Sequence, residues 1–235
     1  RELYFSALTL AQEEKNRRLE GIVVGALGNI EFSRGELELA LPYIQQALQI
    51  HREVGHRRNE GVVLCNLSDL FREMGRIEES RSSYASALTL LKETGDRQAE
   101  GITTGNLGDL LLQHGSLEEA EDMLVQAVEI CDENWEVAAG CFRGSLGLIA
   151  GRRGNFDEAR QLLNKAESQL RGIHAEELCK LLCKKGEVEE QAGNRKGAIE
   201  ALKEAESISE RLSLGRDSEG ERALSGLRKQ LLGDG

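Results

Sequence analysis

The chain has 235 residues, with 41 acidic and 30 basic side chains that give a net charge of −11. This acidic balance argues against a nucleic-acid-binding protein, because phosphate neutralisation requires clustered lysine and arginine. Hydrophobic residues make up 40% of the sequence, yet no apolar run approaches the ~20 residues needed to cross a bilayer. We therefore expect a cytoplasmic protein with no membrane contact. A single proline favours an almost entirely helical chain.

A unit of about 40 residues recurs along the chain. Its reference copy, 101–133, has matching glycine, leucine and alanine positions 40 residues earlier and 39 residues later. Such a period indicates stacked supersecondary units that bury a hydrophobic face only against their neighbours. Each unit contains two stretches of helical apolar spacing separated by a glycine, which predicts an antiparallel pair of helices.

The predicted elements follow in chain order. Residues 1–15 align with the end of the next unit, which makes them the second helix of a truncated repeat and leads us to expect a fragment of a longer protein. Five full repeats are predicted at 18–55, 57–95, 97–134, 136–173 and 175–214. The segment 218–232 is either a capping helix or the first helix of a truncated repeat.

The prediction of close helix packing depends on small residues. Gly28, Gly108, Gly147 and Gly186 lie in the middle of first helices, where glycine costs roughly 1 kcal/mol relative to alanine. We expect a close approach of a neighbouring helix to compensate. Two alanines seven residues apart on each second helix, such as Ala120 and Ala127, lie on one face and admit such an approach.

The combination of Leu-Gly in the first helix, Gly between the helices and A-x3-[FYL]-x2-A in the second resembles the tetratricopeptide repeat (TPR). Leu107-Gly108, Ala120, Leu124 and Ala127 show the pattern most completely. The unit is about six residues longer than the common form and is similar to the long-repeat subgroup of kinesin light chains, Pins-type spindle adaptors and bacterial signalling proteins. The resemblance implies an all-α fold, a right-handed α-solenoid of stacked antiparallel helix pairs.

The resemblance also implies a binding groove lined by the first helices near the Leu-Gly pair. Asparagines at similar places hold the backbone of an extended peptide in kinesin light chains and the spindle adaptors, which implies that role for Asn29, Asn66 and Asn106. Gly25, Gly105 and Gly144 are expected to leave room for a ligand. The groove positions predicted in this sequence are Asn29, Phe32, Asn66, Asp69, Arg72, Asn106, Asp109, Gln113 and Arg152.

Charge varies along this predicted groove. Asp69 and Asp109 make its middle acidic, whereas Arg143, Arg152 and Arg153 place basic groups in or near the fourth repeat. A ligand with a basic part beside an acidic end suits this gradient. Pairing of these charges within the chain is the alternative.

The sequence indicates no catalytic chemistry, cofactor or metal. A phosphate loop, a nucleophile elbow and an HExxH motif are all missing. The cysteines have no even spacing, and burial in a reducing cytoplasm explains them. Cys179 and Cys183 are four residues apart, a spacing that suits a shared metal ion or a redox pair of thiols. No histidine near them in sequence completes a zinc pattern.

Three hypotheses about function follow. The first is a non-catalytic adaptor or scaffold that binds a protein or peptide ligand in its concave groove. The second is a sensor or regulatory domain of a larger bacterial signalling protein, such as a transcription activator, kinase or ATPase, which binds a small molecule or its own effector domain. The third is end-to-end self-association through the ends of the array.

Overall fold

The structure is a computed structural model that describes residues 2–215 and 218–233. Within these residues the fold is all-α, an array of helical repeats with no β-strand. The helix bounds are α1 Glu2–Glu13, α2 Arg17–Ser33, α3 Leu37–Glu53, α4 Arg57–Glu73, α5 Ile77–Thr94, α6 Arg97–Gln113, α7 Leu117–Cys131, α8 Glu136–Arg152, α9 Phe156–Leu170, α10 Ala175–Gln191, α11 Arg195–Leu212 and α12 Glu219–Leu232. None of these helices is both long and apolar enough to span a membrane.

Glycines end the first helices, as the sequence predicts. The glycine after each of the five first helices has a positive φ, between +73° and +83°, which only glycine adopts without strain. These residues are Gly35, Gly75, Gly115, Gly154 and Gly193. The next helix begins two residues later, so that α2 packs against α3, α4 against α5, α8 against α9 and α10 against α11.

The mid-helix glycines sit where the two helices of a pair approach closely. A Cβ atom placed on Gly28 would lie 2.7 Å from Ile44 Cγ1, and one on Gly147 would lie 2.8 Å from Leu163 Cγ. Gly108 has the same relation to Leu124. Close packing therefore compensates for the low helix propensity of these glycines, which confirms the expectation.

Gly186 differs from this pattern. The nearest side chain to a Cβ placed there is Leu227 of α12, at 2.6 Å, rather than a residue of its own second helix α11. The glycine therefore admits the last helix instead of the helix of its own pair.

The described chain forms two compact units, one ending at Leu107 and one beginning at Gly108. The first unit has a core of aliphatic side chains with Phe71, centred on Ile44, Leu70 and Leu91. In the second unit, Leu124, Ile149, Leu163, Leu170 and Leu182 are fully buried. Each such side chain contributes roughly 1.5–3 kcal/mol on burial, so the aliphatic residues can stabilise both units despite the few aromatic side chains.

Candidate binding surface

The first helices carry one face built from residues four, seven and eleven apart, which share a direction because a helix turns about 100° per residue. In the first unit we call this the N-terminal face, formed by Ile22, Asn29, Val62, Asn66, Asp69, Ile102 and Asn106. In the second unit we call it the C-terminal face, formed by Asp109, Gln113, Ser145, Leu148, Arg152, Lys180, Lys184 and Glu187.

Asp69 is the best-anchored group of the N-terminal face. The hydroxyl of Tyr84 donates a short hydrogen bond to Asp69 Oδ1. Asn106 Nδ2 lies 3.5 Å from the same oxygen. Burial and the neighbouring carboxylate raise the pKa of Tyr84, so this tyrosine keeps its proton and remains a donor. The second helix α5 thus fixes the orientation of a carboxylate on the first helix α4.

The asparagines of this face keep most of their hydrogen-bonding capacity. Asn29 is exposed and Asn66 half-buried, and neither has a hydrogen-bond partner within the described residues. The distance from Asn106 to Asp69 exceeds the usual 2.7–3.2 Å of an N–H···O bond, so that contact is weak. The predicted residues Asn66, Asp69 and Asn106 are therefore brought together, with amide groups available to a ligand.

Aliphatic side chains flank the amides on the same face. Ile22 and Ile102 are 48% and 36% exposed, and Val62 is half-buried. They lie 40 residues apart in sequence, each at the second position after a buried glutamate. Sequence reasoning about the groove missed them because Ile102 fits an apolar helix stripe. The recurrence of a β-branched residue seven positions before Asn29, Asp69 and Asp109 was the available signal.

The C-terminal face pairs its own polar groups. Ser145 Oγ donates to Asp109 Oδ1, and Lys184 Nζ donates to Ser145 Oγ at 2.7 Å. Arg152 Nη2 lies 3.3 Å from Glu187 Oε1. These contacts join α6 to α8 and α8 to α10. The predicted groove residues Asp109 and Arg152 are thus already engaged by side chains of the chain itself.

Lys180 on α10 is also paired within the chain. Its ammonium lies 2.7 Å from Glu177 and 2.8 Å from Glu219. These carboxylates raise the pKa of Lys180 against the opposing effect of burial. The C-terminal face therefore combines opposite charges in contact rather than a uniformly basic surface.

Two predicted groove residues, Phe32 and Arg72, lie beside the N-terminal face, and a third, Gln113, lies at the end of α6 on the C-terminal face. Phe32 is half-buried and packs against the core of the first unit. Arg72 occupies the matching position 40 residues later, and its guanidinium lies 3.4 Å from Glu73. Both lie about 60° round the helix from Asn29 and Asp69. Gln113 is exposed at the end of α6.

Arg143 and Gly144 do not have the expected groove roles. The Arg143 side chain is buried, bonds to Gln169, and lies 2.8 Å from Asp132, so it belongs to the packing of α7, α8 and α9. Its hydrogen bond lowers the pKa of Asp132. A Cβ on Gly144 would lie 2.5 Å from Leu181 Cδ1, so this glycine admits a neighbouring helix rather than a ligand. Arg153 pairs with Glu121.

The cysteines carry free thiols, of which three are buried and two are half-buried. Cys179 Sγ lies 3.5 Å from the carbonyl of Ala205, and burial raises the pKa of Cys65 to about 12 and that of Cys131 to about 11. The thiols of Cys65 and Cys131 are therefore poor nucleophiles at neutral pH. No group of three or more histidine, cysteine or carboxylate side chains in the described ranges is arranged to hold a metal ion.

Helix pairs of about 40 residues, closed by left-handed glycines and packed through mid-helix glycines, define a helical repeat protein of the TPR type. The chain belongs to the MalT-like TPR region family, whose model matches residues 1–219. No curated protein matches the sequence.

Solved structures share the fold at low sequence identity. BtubC (BKLC) from P. vanneervenii is 18% identical with a TM-score of 0.71, covering 92% of this chain and 90% of that one. A kinesin light chain with nearly identical TPR-like repeats from Podosopora anserina is 15% identical with a TM-score of 0.60, covering 82% and 96%. YrrB, described as a TPR protein with an unusual peptide-binding site, is 21% identical with a TM-score of 0.52, covering 96% and 98%.

These similarities confirm the TPR resemblance and the all-α repeat fold. The fold is typical of interaction modules rather than catalytic domains.

Proposed function

We propose that the N-terminal face binds an extended peptide segment of a partner protein or of the parent chain, in a non-catalytic adaptor role within the cytoplasm. The observation that supports this most directly is the set of unpartnered amides, Asn29 and Asn66, beside partly exposed Ile22 and Ile102. Side-chain amides donate and accept together, which matches the alternating groups of a peptide backbone. The aliphatic side chains offer contacts for apolar residues of the peptide.

Pre-organisation favours this role. Tyr84 fixes Asp69, and the close packing of Gly28 against α3 and of Gly61 against α5 holds α2 and α4, so the face loses little freedom on binding. The peptide-binding description of YrrB is consistent with the proposal, although that likeness concerns the fold alone.

The test removes the amides without disturbing the core. The wild-type chain and an Asn66→Ala/Asn106→Ala variant are used to retain proteins from the source organism's lysate, and a peptide from a retained protein is then titrated against both. Two lost hydrogen bonds predict affinity weakened by roughly tenfold with unchanged helicity.

A matched control is a Gln45→Ala/Gln46→Ala variant, which removes two exposed amides from the second helix α3. We expect it to bind as wild type does. Equal affinity of wild type and the asparagine variant would contradict the assignment of the N-terminal face.

The family assignment supports a second candidate. The family is described as the TPR region of MalT-like proteins, so we infer a sensor or regulatory region within a larger signalling protein. The ligand is then a small molecule or the effector domain. A reading frame that joins this array to a kinase, ATPase or transcription-activator domain supports this candidate, and an array that stands alone argues against it.

Self-association is the third candidate, and the exposed apolar side chains of α1 support it. Leu3 is 85% exposed and Tyr4 is 42% exposed, whereas the residues that match Tyr4 in later repeats are fully buried: Ile44, Tyr84 and Leu124. Light scattering over a concentration series with wild type and Tyr4→Glu tests it. A monomer at every concentration would remove this candidate.

A further inference from the structure

A second close contact recurs at the start of the first helices. The glycine one turn into the helix faces a side chain near the end of the second helix of the same pair. A Cβ on Gly61 would lie 3.0 Å from Leu91, and one on Gly140 would lie 3.1 Å from Leu170. In the first full pair, Gly21 takes this position, and a Cβ there would lie 2.9 Å from the imidazole carbon Cε1 of His51.

His51 is therefore an imidazole at a site built for an apolar side chain. At the matching positions, four other second helices have fully buried apolar side chains, Ala11, Leu91, Cys131 and Leu170, and α11 has Ser209, whose hydroxyl donates to Glu221. His51 is only 1% exposed, and its Nδ1 has no hydrogen-bond partner within the described residues. A buried polar atom without a partner costs free energy, so this histidine is not placed there for packing alone.

His56 is a second exception at the same junction. It occupies the N-cap of α4, where Asn16, Asp96 and His174 use their side chains to accept a backbone N–H in other repeats. His56 makes no such bond, and its Nδ1 is buried without a partner within the described residues. The ring centroids of His51 and His56 are 5.6 Å apart. Two imidazoles thus meet where α2, α3 and α4 join.

The charged groups around the pair leave a proton on His51 poorly compensated. On α4, Glu60 is held by Arg52 at 3.0 Å and by Arg57 at 3.4 Å. On α2, Arg17 holds both Glu20, at 2.8 Å, and Glu53 of α3, at 2.5 Å. These carboxylates, drawn from all three helices, are therefore engaged by arginines.

Burial lowers the pKa of His51, and the positive charge that His56 can carry lowers it further, against an opposing effect of Glu60. Above pH ~6.5 both the closed and the opened junction hold a neutral His51, and the histidine imposes no cost. As the pH falls below that value, the opened junction binds a proton first and becomes favoured. The loss of stability is complete once the pH falls below the lowered pKa of the closed form.

We propose that the His51–His56 pair makes the junction of α2, α3 and α4 a proton-responsive joint, which opens when the pH falls below the ordinary range of imidazole. α2 and α4 carry Ile22, Asn29, Asn66 and Asp69, so opening separates groups of the N-terminal face. The inference concerns the stability of the junction and holds whether or not that face binds a peptide.

The test is segment-resolved hydrogen exchange of the whole chain at about pH 7.5 and about pH 5.5, corrected for intrinsic exchange rates, with an NMR titration of the histidine rings. In wild type we expect amide protection of α3 and α4 to fall, by at most about tenfold, the limit set when an ordinary imidazole in the opened junction is protonated about one pH unit below its pKa. His51→Leu, which introduces the residue of the matching positions, should abolish this fall.

Two further variants keep the outcome interpretable. His56→Asp introduces the residue found at Asp96 and should raise the pKa of His51 and reduce the acid response. His174→Asn replaces a histidine that already caps its helix and should leave the response of α3 and α4 unchanged. An ordinary pKa for His51, or an equal acid response in His51→Leu, would overturn the proposal.

Discussion

The N-terminal and C-terminal faces are built from the same helix positions, yet they treat their polar groups differently. On the N-terminal face, Asn29 and Asn66 lack partners within the described residues and Asn106 has only a weak one. On the C-terminal face, Ser145 bridges Asp109 and Lys184, and Arg152 meets Glu187. A polar surface that satisfies itself gives up its own contacts when a ligand binds, whereas unpartnered amides gain contacts.

A position in the repeat therefore does not by itself define a binding position. The same row of positions is open in one unit and, in the other, internally bonded around the buried Ser145. The C-terminal face thus contributes to the stability of its own unit. Substitutions at four positions test this difference between the two faces.

Arg143→Ala should destabilise the second unit by about 3 kcal/mol, because it leaves a cavity and removes a buried charge from Asp132 and Gln169. The pKa of Asp132 should also rise toward its usual value. Urea unfolding and an NMR titration of the carboxylate measure the two effects. Arg143→Met, which keeps most of the volume, should lose less than half as much. A loss below about 1 kcal/mol in the alanine variant would show that the buried network is not important to this unit.

Tyr84→Phe should cost about 1.5 kcal/mol, since the hydroxyl donates to a half-buried carboxylate. The change also removes the donor from α5 that orients Asp69, so peptide affinity should fall by a few-fold. Thermal unfolding and peptide titration report these effects. The control is Tyr43→Phe, because the Tyr43 hydroxyl has no hydrogen bond within the described residues. Equal behaviour of the two variants would refute a role for Tyr84 in ordering the N-terminal face.

Ser145→Ala should cost about 1 kcal/mol, because one hydroxyl links Asp109 to Lys184. Peptide affinity should stay at the wild-type level, in contrast to the Asn66→Ala/Asn106→Ala variant. Chemical denaturation and the same peptide titration provide the comparison. Ser168→Ala, on the exposed side of α9, serves as the reference substitution. A marked loss of affinity in Ser145→Ala would instead place the ligand on the C-terminal face.

Arg152→Ala should change stability by less than about 0.5 kcal/mol, because the arginine and its partner Glu187 are both partly exposed to solvent. Its effect should shrink further at high salt. Denaturation at low and high ionic strength measures this. A large, salt-insensitive loss would indicate that the pair is more rigidly held than its exposure suggests.

Much of the fold could be predicted from the sequence because the packing depends on small residues at fixed intervals. Gly108 and Leu124 are 16 residues apart, as are Gly28 with Ile44 and Gly147 with Leu163, and a contact within one helix pair depends only on local geometry. The turn glycines and the Asp96 cap follow from the same local rules.

The candidate site was less predictable because its contacts join different repeats. Asp69 meets Asn106 across 37 residues and Ser145 meets Lys184 across 39, so each partner depends on how neighbouring first helices align. Arg143 was predicted to be a cation of the groove. It instead lies on the side of α8 that faces α7 and α9, where it contacts Asp132 and Gln169. Gly144 and Gly186 likewise face Leu181 of α10 and Leu227 of α12, and no local pattern specifies these contacts.

The glycine that faces a leucine within a single pair also bears on how such chains change in length over generations. Gly61 and Leu91 both lie within one 40-residue stretch, so a gene duplication of that stretch supplies a new pair with both halves of its internal contact. A duplication of half that length would supply a helix without its partner and leave an apolar surface uncovered. Lineages are therefore expected to gain or lose these arrays in whole pairs.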